Sequence, residues 1–242
     1  MRIRPGDKIV ILGANGCGKS TLLKLMNGLI FPQTGQVSYR GTPLEKSALA
    51  GRQDARQFAR QFRQECVLLF QHPEAMLFNP TVRNEIAYGP RQLGLPNVAA
   101  RVAQWAEALH LTPLLDQPPF LISGGEKQKL ALACLLAVDP QLLLLDEPSA
   151  SLDPATVCWL IDTLLDSEKT VVVSTHNLSL AAELGSRCLV LGQRGKLLYD
   201  GPVAAALGDL PLLEEARLAH RHQHRHAGVA HVHVHVHDWE AR

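Results

Sequence analysis

Aromatic side chains are scarce in this sequence, 5% of 242 residues, and Lys plus Arg (24) nearly cancels Asp plus Glu (23). The first shortage leaves too few rings for a base-stacking surface. The second leaves a formal net charge of +1 and no broad cationic field, so nucleic acid is not an expected partner. The five cysteines, Cys17, Cys66, Cys134, Cys158 and Cys188, are scattered and form no C-x-x-C. That pattern excludes a disulfide framework or cysteine zinc site and fits a reducing compartment. Long apolar runs are missing too. Leu130–Val138 stops at Asp139, well short of the roughly 18 residues that cross a bilayer. The opening MRIRPGDK has no apolar core of a secretory signal. If the chain serves a membrane, the expectation is that it does so from the cytosol.

What is present suits a globular protein of one or two domains, with 46% hydrophobic and 19% charged residues. Ile9–Leu12, Val67–Phe70, Leu142–Leu145 and Thr170–Ser174 are short continuous apolar runs of the buried parallel-strand type. Lys19–Leu29, Val98–Leu109 and Lys127–Val138 carry apolar faces at helical spacing. Val37–Tyr39 reads as a strand leading to a turn at Gly41, and residues 46–64 as a solvated helix or irregular linker. Cys188–Leu191 and Lys196–Tyr199 read as a hairpin joined through Gly195. Strands alternating with helices predict an α/β domain with a mainly parallel sheet, here with a helical subdomain inserted at about 73–139. The domain is expected over 1–212, followed by a flexible, His-rich tail over 213–242 without core-forming periodicity.

Three motifs carry chemistry. Gly13-Ala14-Asn15-Gly16-Cys17-Gly18-Lys19-Ser20-Thr21 lies between a predicted strand and a predicted helix. This is the setting in which glycines let backbone N–H groups curl round a β-phosphate at a helix N-terminus. Lys19 is placed to reach the β- and γ-phosphates, and the Ser20 hydroxyl to ligate Mg²⁺. In Leu142–Glu147 the apolar run delivers Asp146 to a strand's C-terminal end, where ligands bind in open α/β sheets. Asp146 is expected in the Mg²⁺ shell and Glu147 as general base on the attacking water. Ser123-Gly124-Gly125-Glu126 is a helix-capping box. It is also an anion site flanked by glycines, which makes most sense facing a second subunit's nucleotide in a head-to-tail dimer.

The phosphate loop, Gln71, Ser123–Glu126, Leu142–Glu147, Ser149-Ala150-Ser151-Leu152-Asp153 and His176 follow in that order. Together they resemble the ATP-binding cassette (ABC) ATPases over about residues 3–205. The resemblance implies a P-loop nucleotide-binding domain that binds ATP and Mg²⁺ and works as a homodimer or heterodimer. It places Gln71 on Mg²⁺ and the attacking water, Asp153 at the dimer interface, and His176 on the γ-phosphate and the geometry of Glu147. Residues 71–90 resemble the corresponding stretch of energy-coupling-factor importers, the group that includes cobalt and nickel uptake systems. There this surface receives helices of an integral membrane subunit, which implies a peripheral protein on the cytoplasmic face of the cell membrane. Two features depart from the family pattern. The chain starts almost at the phosphate-loop strand, without the earlier strands and their adenine-stacking aromatic, and the signature reads Ile122 and Glu126 where leucine and glutamine are commonest.

The tail is the remaining signal. His220, His222, His224 and His226 alternate, and His231, His233, His235 and His237 alternate again with valine between. In an extended chain each set shares one face, with neighbours about 7 Å apart. Imidazoles suit Ni²⁺, Co²⁺, Cu²⁺ and Zn²⁺. A solvated tail without a ligand and a segment that charges on acidification fit the same composition. Read together, the sequence predicts the ATPase subunit of an importer for nickel or cobalt. The rivals are an energy-coupling ATPase for another cargo such as a vitamin, a soluble cassette ATPase, and a metal-storage protein.

Overall fold

The computed structural model describes residues 1–50, 53–226 and 229–236, and side chains over 1–49 and 55–219. The elements run β1 (Lys8–Leu12), α1 (Lys19–Met26), β2 (Ser38–Tyr39), β3 (Thr42–Pro43), α2 (Lys46–Ala50), α3 (Gln53–Glu65) and β4 (Cys66–Leu69). Next come α4 (Val82–Gln92), α5 (Val98–Ala108), α6 (Gly124–Leu136), β5 (Leu142–Asp146), α7 (Pro154–Asp166) and β6 (Thr170–Thr175). The last are α8 (Leu178–Leu184), β7 (Arg187–Leu191), β8 (Leu197–Pro202), α9 (Val203–Gly208), α10 (Leu210–Glu215), β9 (Ala219–His226) and β10 (Val229–Val236). Two compact units result, Met1–Lys19 with Val172–Arg242, and Ser20–Val171.

In the first unit β1 lies between β6 and β7, and β8 is outermost. β1 and β7 are parallel, from Ile9 opposite Arg187 to Leu12 opposite Val190. Val10, Ile11, Leu12, Leu189 and Val190 are buried, as their uninterrupted apolar runs require. The hairpin read from the sequence is present as antiparallel β7–β8, with Leu191 opposite Leu197. Arg187 forks onto Asp200 across that pair at 2.6 and 2.8 Å, which raises the guanidinium's pKa. Packing continues beyond residue 212, because Leu213, Ala216, Leu218 and Ala219 are all buried. The chain then enters the β9–β10 pair.

The second unit pairs β4 with β5 in parallel, Cys66 opposite Leu142 to Leu69 opposite Leu145. Burial of Cys66 pushes its thiol pKa up to about 12. Of the two readings of 46–64, the helix is the one seen, in α2 and α3, and most of the described side chains there are exposed or half-buried, but α3 is not solvated all round. α3 buries Ala59 and Phe62, and the Phe62 ring meets Tyr39 edge-on at 5.1 Å and stacks with Phe58 at 6.0 Å. Arg and Gln occupy most of the helix, so its apolar stripe is only Ala55, Phe58, Ala59 and Phe62, and composition hides it.

The helical stretch between β4 and β5 is built on α4, α5 and α6. Gly89 lets α4 approach the residues just past the C-terminal end of α6, since a Cβ there would sit 2.8 Å from Val138 Cγ2. α6 begins at Gly124, three residues before the apolar period starts at Lys127, because its cap sets the boundary.

Candidate nucleotide-binding and catalytic site

The phosphate loop leaves β1 in the first unit. A turn from Ala14 O to Cys17 N, 3.2 Å, folds it back, and Lys19 Nζ donates to Gly13 O at 2.7 Å. Gly13 admits no side chain: a Cβ there would lie 2.6 Å from Cys17 Sγ and 2.7 Å from Leu191 O. Gly18 adopts φ +111°, a conformation that costs any other residue dearly. Lys19 is buried, while Asn15 and Gly16 are exposed at the loop's crest. The loop therefore presents backbone and a sheltered lysine, as a phosphate cradle does. His176, in the same unit, follows β6 and is half-buried ahead of α8, which Asn177 caps through Leu180 N at 2.9 Å.

The second unit holds the other predicted residues. Ser20 and Thr21 open α1, Ser20 half-buried and Thr21 exposed, and Gln71 is exposed two residues after β4. Asp146 ends β5, and both it and Glu147 are buried at 4% and 6% exposure. Glu147 has φ +48°. A non-glycine residue held in the left-handed region stores roughly 1–2 kcal/mol of backbone strain, and such strain concentrates at functional positions.

Ser123, Gly124 and Gly125 lie at the start of α6, where Ser123 and Gly124 are exposed. The capping box is complete: Ser123 Oγ accepts from Glu126 N at 3.3 Å, and Ser123 N donates to Glu126 Oε2 at 2.7 Å. Hydrogen bonding to the Glu126 carboxylate from the Ser123 hydroxyl, and then from the Ser123 backbone N–H, lowers its pKa and keeps the residue ionised.

Three contacts tie α6 to the segment after β5. A Cβ on Gly125 would lie 2.8 Å from Ser151 O, Gln128 Nε2 donates to Pro148 O at 3.1 Å, and Lys129 pairs with Asp153 at 2.8 Å. The structure thus brings Ser123–Gly125 and Ser149–Asp153 together. The sequence reading did not single out Gln128 or Lys129, although both stand one helical turn from the signature glycines and so share their face. Nor did it single out Glu85. This buried acid accepts from Phe78 N (2.9 Å), Asn79 N (2.6 Å) and Asn79 Nδ2 (3.0 Å), holding the 71–81 loop onto α4.

The profile of the ABC transporter family matches residues 1–150. The chain belongs to this family. It is 42% identical to the nickel import ATP-binding protein NikO of Rhodobacter capsulatus over 88% of this chain and 85% of that protein. Other relatives at similar identity have names that specify no cargo. Among solved structures it resembles CbiO1 of Clostridium perfringens, part of the ABC transporter complex CbiONQ. That likeness has a TM-score of 0.71 at 26% identity, over 90% of this chain and 86% of that one. In fold it also resembles the dimeric ATP-binding cassette MJ0796 bound to ADP and phosphate, at TM-score 0.70 and 24% identity over 84% of this chain and 88% of that one.

As an ABC-type ATPase the chain binds and hydrolyses ATP as the ATP-binding subunit of a transporter. Ser20, Gln71 and Asp146 offer a hydroxyl, an amide and a carboxylate oxygen, a hard donor set suited to Mg²⁺. Among the described residues, no group of three or more His, Cys, Asp and Glu side chains is arranged to hold a metal ion. No described helix of this ABC ATPase is long and apolar enough to cross a membrane. The side chains of His220, His222, His224, His226, His231, His233 and His235 are not described, and His237 lies outside the described residues altogether.

Proposed function

We propose that this ABC ATPase energises an importer for Ni²⁺ or Co²⁺ from the cytoplasmic face of the cell membrane, bound to integral membrane subunits that carry the ion. The observation that carries the cargo is the identity with the nickel import protein over most of both chains. A surface feature supports the partner. Phe78 and Tyr88, both exposed, pack edge-to-face at 4.8 Å within the 71–90 segment. Paired rings held in water make a natural seat for a partner helix.

The chemistry follows from the residue types. Gly13–Thr21 would wrap the β- and γ-phosphates, Lys19 neutralising their charge. Mg²⁺, held by Ser20, Gln71 and Asp146, would neutralise charge on the phosphate oxygens. Glu147 would take a proton from the attacking water, and its burial keeps bulk solvent from competing for the carboxylate. His176 would hold the γ-phosphate and the orientation of Glu147. Ser123–Gly125 of one subunit would close over its partner's ATP, with Asp153 at that interface, so that two nucleotides are bound between two cassettes. Hydrolysis would then reset the dimer and cycle the membrane subunits.

Uptake of radioactive nickel and cobalt by cells expressing wild type or Glu147→Gln tests this. Loss of uptake of one metal in the variant is expected. Unchanged uptake of both would remove the metal cargo and leave a vitamin-type cargo as the reading to test.

A further inference from the structure

Apart from any nucleotide chemistry, the tail is folded back on itself in a defined register. β9 and β10 pair antiparallel, with His220 opposite His235, His222 opposite His233 and His224 opposite His231. Directly opposed residues share a face of a two-stranded sheet, as do residues two apart along one strand. The register therefore stacks three His–His rungs on a single face, with His226 continuing it opposite Val229. The other face carries Arg221, Gln223 and Arg225 opposite Val234, Val232 and Ala230. A one-residue slip in register would have put each histidine of β10 opposite a residue of that second face.

We propose that this hairpin is a binding site for divalent late transition metals, with opposed histidines supplying the ligands in pairs. The positions in a rung are about 4.5–5.5 Å apart at Cβ, closer than the about 7 Å between successive histidines of one strand. Two opposed imidazoles can thus share an ion more readily than two along a strand. The donor set decides the class of metal. No carboxylate occurs between His220 and His237, so hard cations such as Mg²⁺ and Ca²⁺ lack the oxygens they need, whereas imidazole suits Ni²⁺, Co²⁺, Cu²⁺ and Zn²⁺. Pairing also changes the thermodynamics. A metal that bridges the strands binds the hairpin in preference to the open tail, so it stabilises the pairing as it binds.

The test separates opposed histidines from histidines that are merely numerous. In the full-length protein, residues 231–236 are exchanged in phase by His231→Val, Val232→His, His233→Val, Val234→His, His235→Val and Val236→His. The histidine count and the two-residue spacing are kept, but the β10 histidines move to the other face, opposite Gln223, Arg221 and Ala219. Nickel chloride and cobalt chloride are titrated by calorimetry, and the cobalt complex is followed by its visible absorption. Wild type is expected to bind, and the exchanged chain to bind about tenfold more weakly or worse. Equal affinity in the two chains would overturn the paired site, and so would no binding by wild type. A double variant, His222→Ala with His233→Ala, removes one rung and is expected to lower the number of ions bound. The same count as wild type would also overturn the proposal. ATP binding by each variant verifies that the rest of the chain is folded.

Discussion

Lys129 and Asp153 are ion-paired at 2.8 Å, and the same carboxylate caps α7 by accepting from Thr156 N at 2.9 Å and Thr156 Oγ1 at 2.7 Å. One side chain thus holds both the helix that begins at Ser123–Gly125 and the start of the next. The Lys129 ammonium first, and the Thr156 hydroxyl and amide after it, drive the Asp153 pKa below the usual carboxylate range. A depressed pKa means that the carboxylate's contribution to stability is full above the unfolded value near 4 and is lost only as pH falls toward the folded value. Carbon-detected NMR of Asp153 should show it still ionised at pH 4, and Lys129→Ala should move its titration upward. A titration near 4 in wild type would mean that the pair does not persist in solution.

Replacing Glu147 by Gln should leave ATP binding within about threefold of wild type and cut hydrolysis by about 10²–10⁴-fold, the usual contribution of a general base. Nucleotide fluorescence titration and phosphate release are the two readouts. If turnover stays normal, Glu147 is not the base.

Glu126 places a negative charge at the helix N-terminus that is proposed to meet a phosphate. Glutamine can make the same capping bonds without the charge. Glu126→Gln should therefore lower the KM for ATP several-fold while thermal stability holds. Glu126→Ala, which abolishes the reciprocal bond to Ser123 N, should lower the melting temperature as well. Equal KM values for all three proteins would show that the charge is not felt by nucleotide.

Gly125→Ala forces a methyl group to within 2.8 Å of Ser151 O, a backbone atom that cannot swing aside. ATPase activity should fall at least about tenfold, whereas Gly124→Ala, where a Cβ meets nothing within 4 Å, should be milder. Similar losses in both would locate the effect in nucleotide contact rather than in the fit of α6 to the segment after β5.

Glu85→Ala strips acceptors from Phe78 N, Asn79 N and Asn79 Nδ2. These donors are only partly buried, so water can replace some of the lost bonds, and the melting temperature should drop modestly. Uptake should fall more than ATPase activity if the loop seats a membrane partner. Parallel losses in the two would argue against that role.

The phosphate loop, the β5 acids and the α6 cap were legible because each is a local pattern. A glycine spacing, an apolar run ending in two carboxylates and a Ser-x-x-Glu box work through neighbours in sequence. The bonds from Glu85 to Asn79 span six residues and a change of direction, and Lys129 meets Asp153 across an intervening strand, so no short window displays either. α3 was obscured differently, since its burial depends on Phe62 meeting Tyr39 from another element. The tail's alternation was visible at once. The opposition of His222 to His233 was not, because pairing register is a property of two strands.

β8 pairs on one side with β7 and stands outermost in its unit. Its last residues are Asp200, Gly201 and Pro202, and its Asp200 is locked to Arg187. A proline supplies no N–H for a further strand, and a charged rim is a poor template for sheet extension. This margin is thereby guarded against edge-to-edge aggregation. For a subunit proposed to wait, after synthesis, for partners made as separate chains, such protection bears on how much of it survives to be assembled.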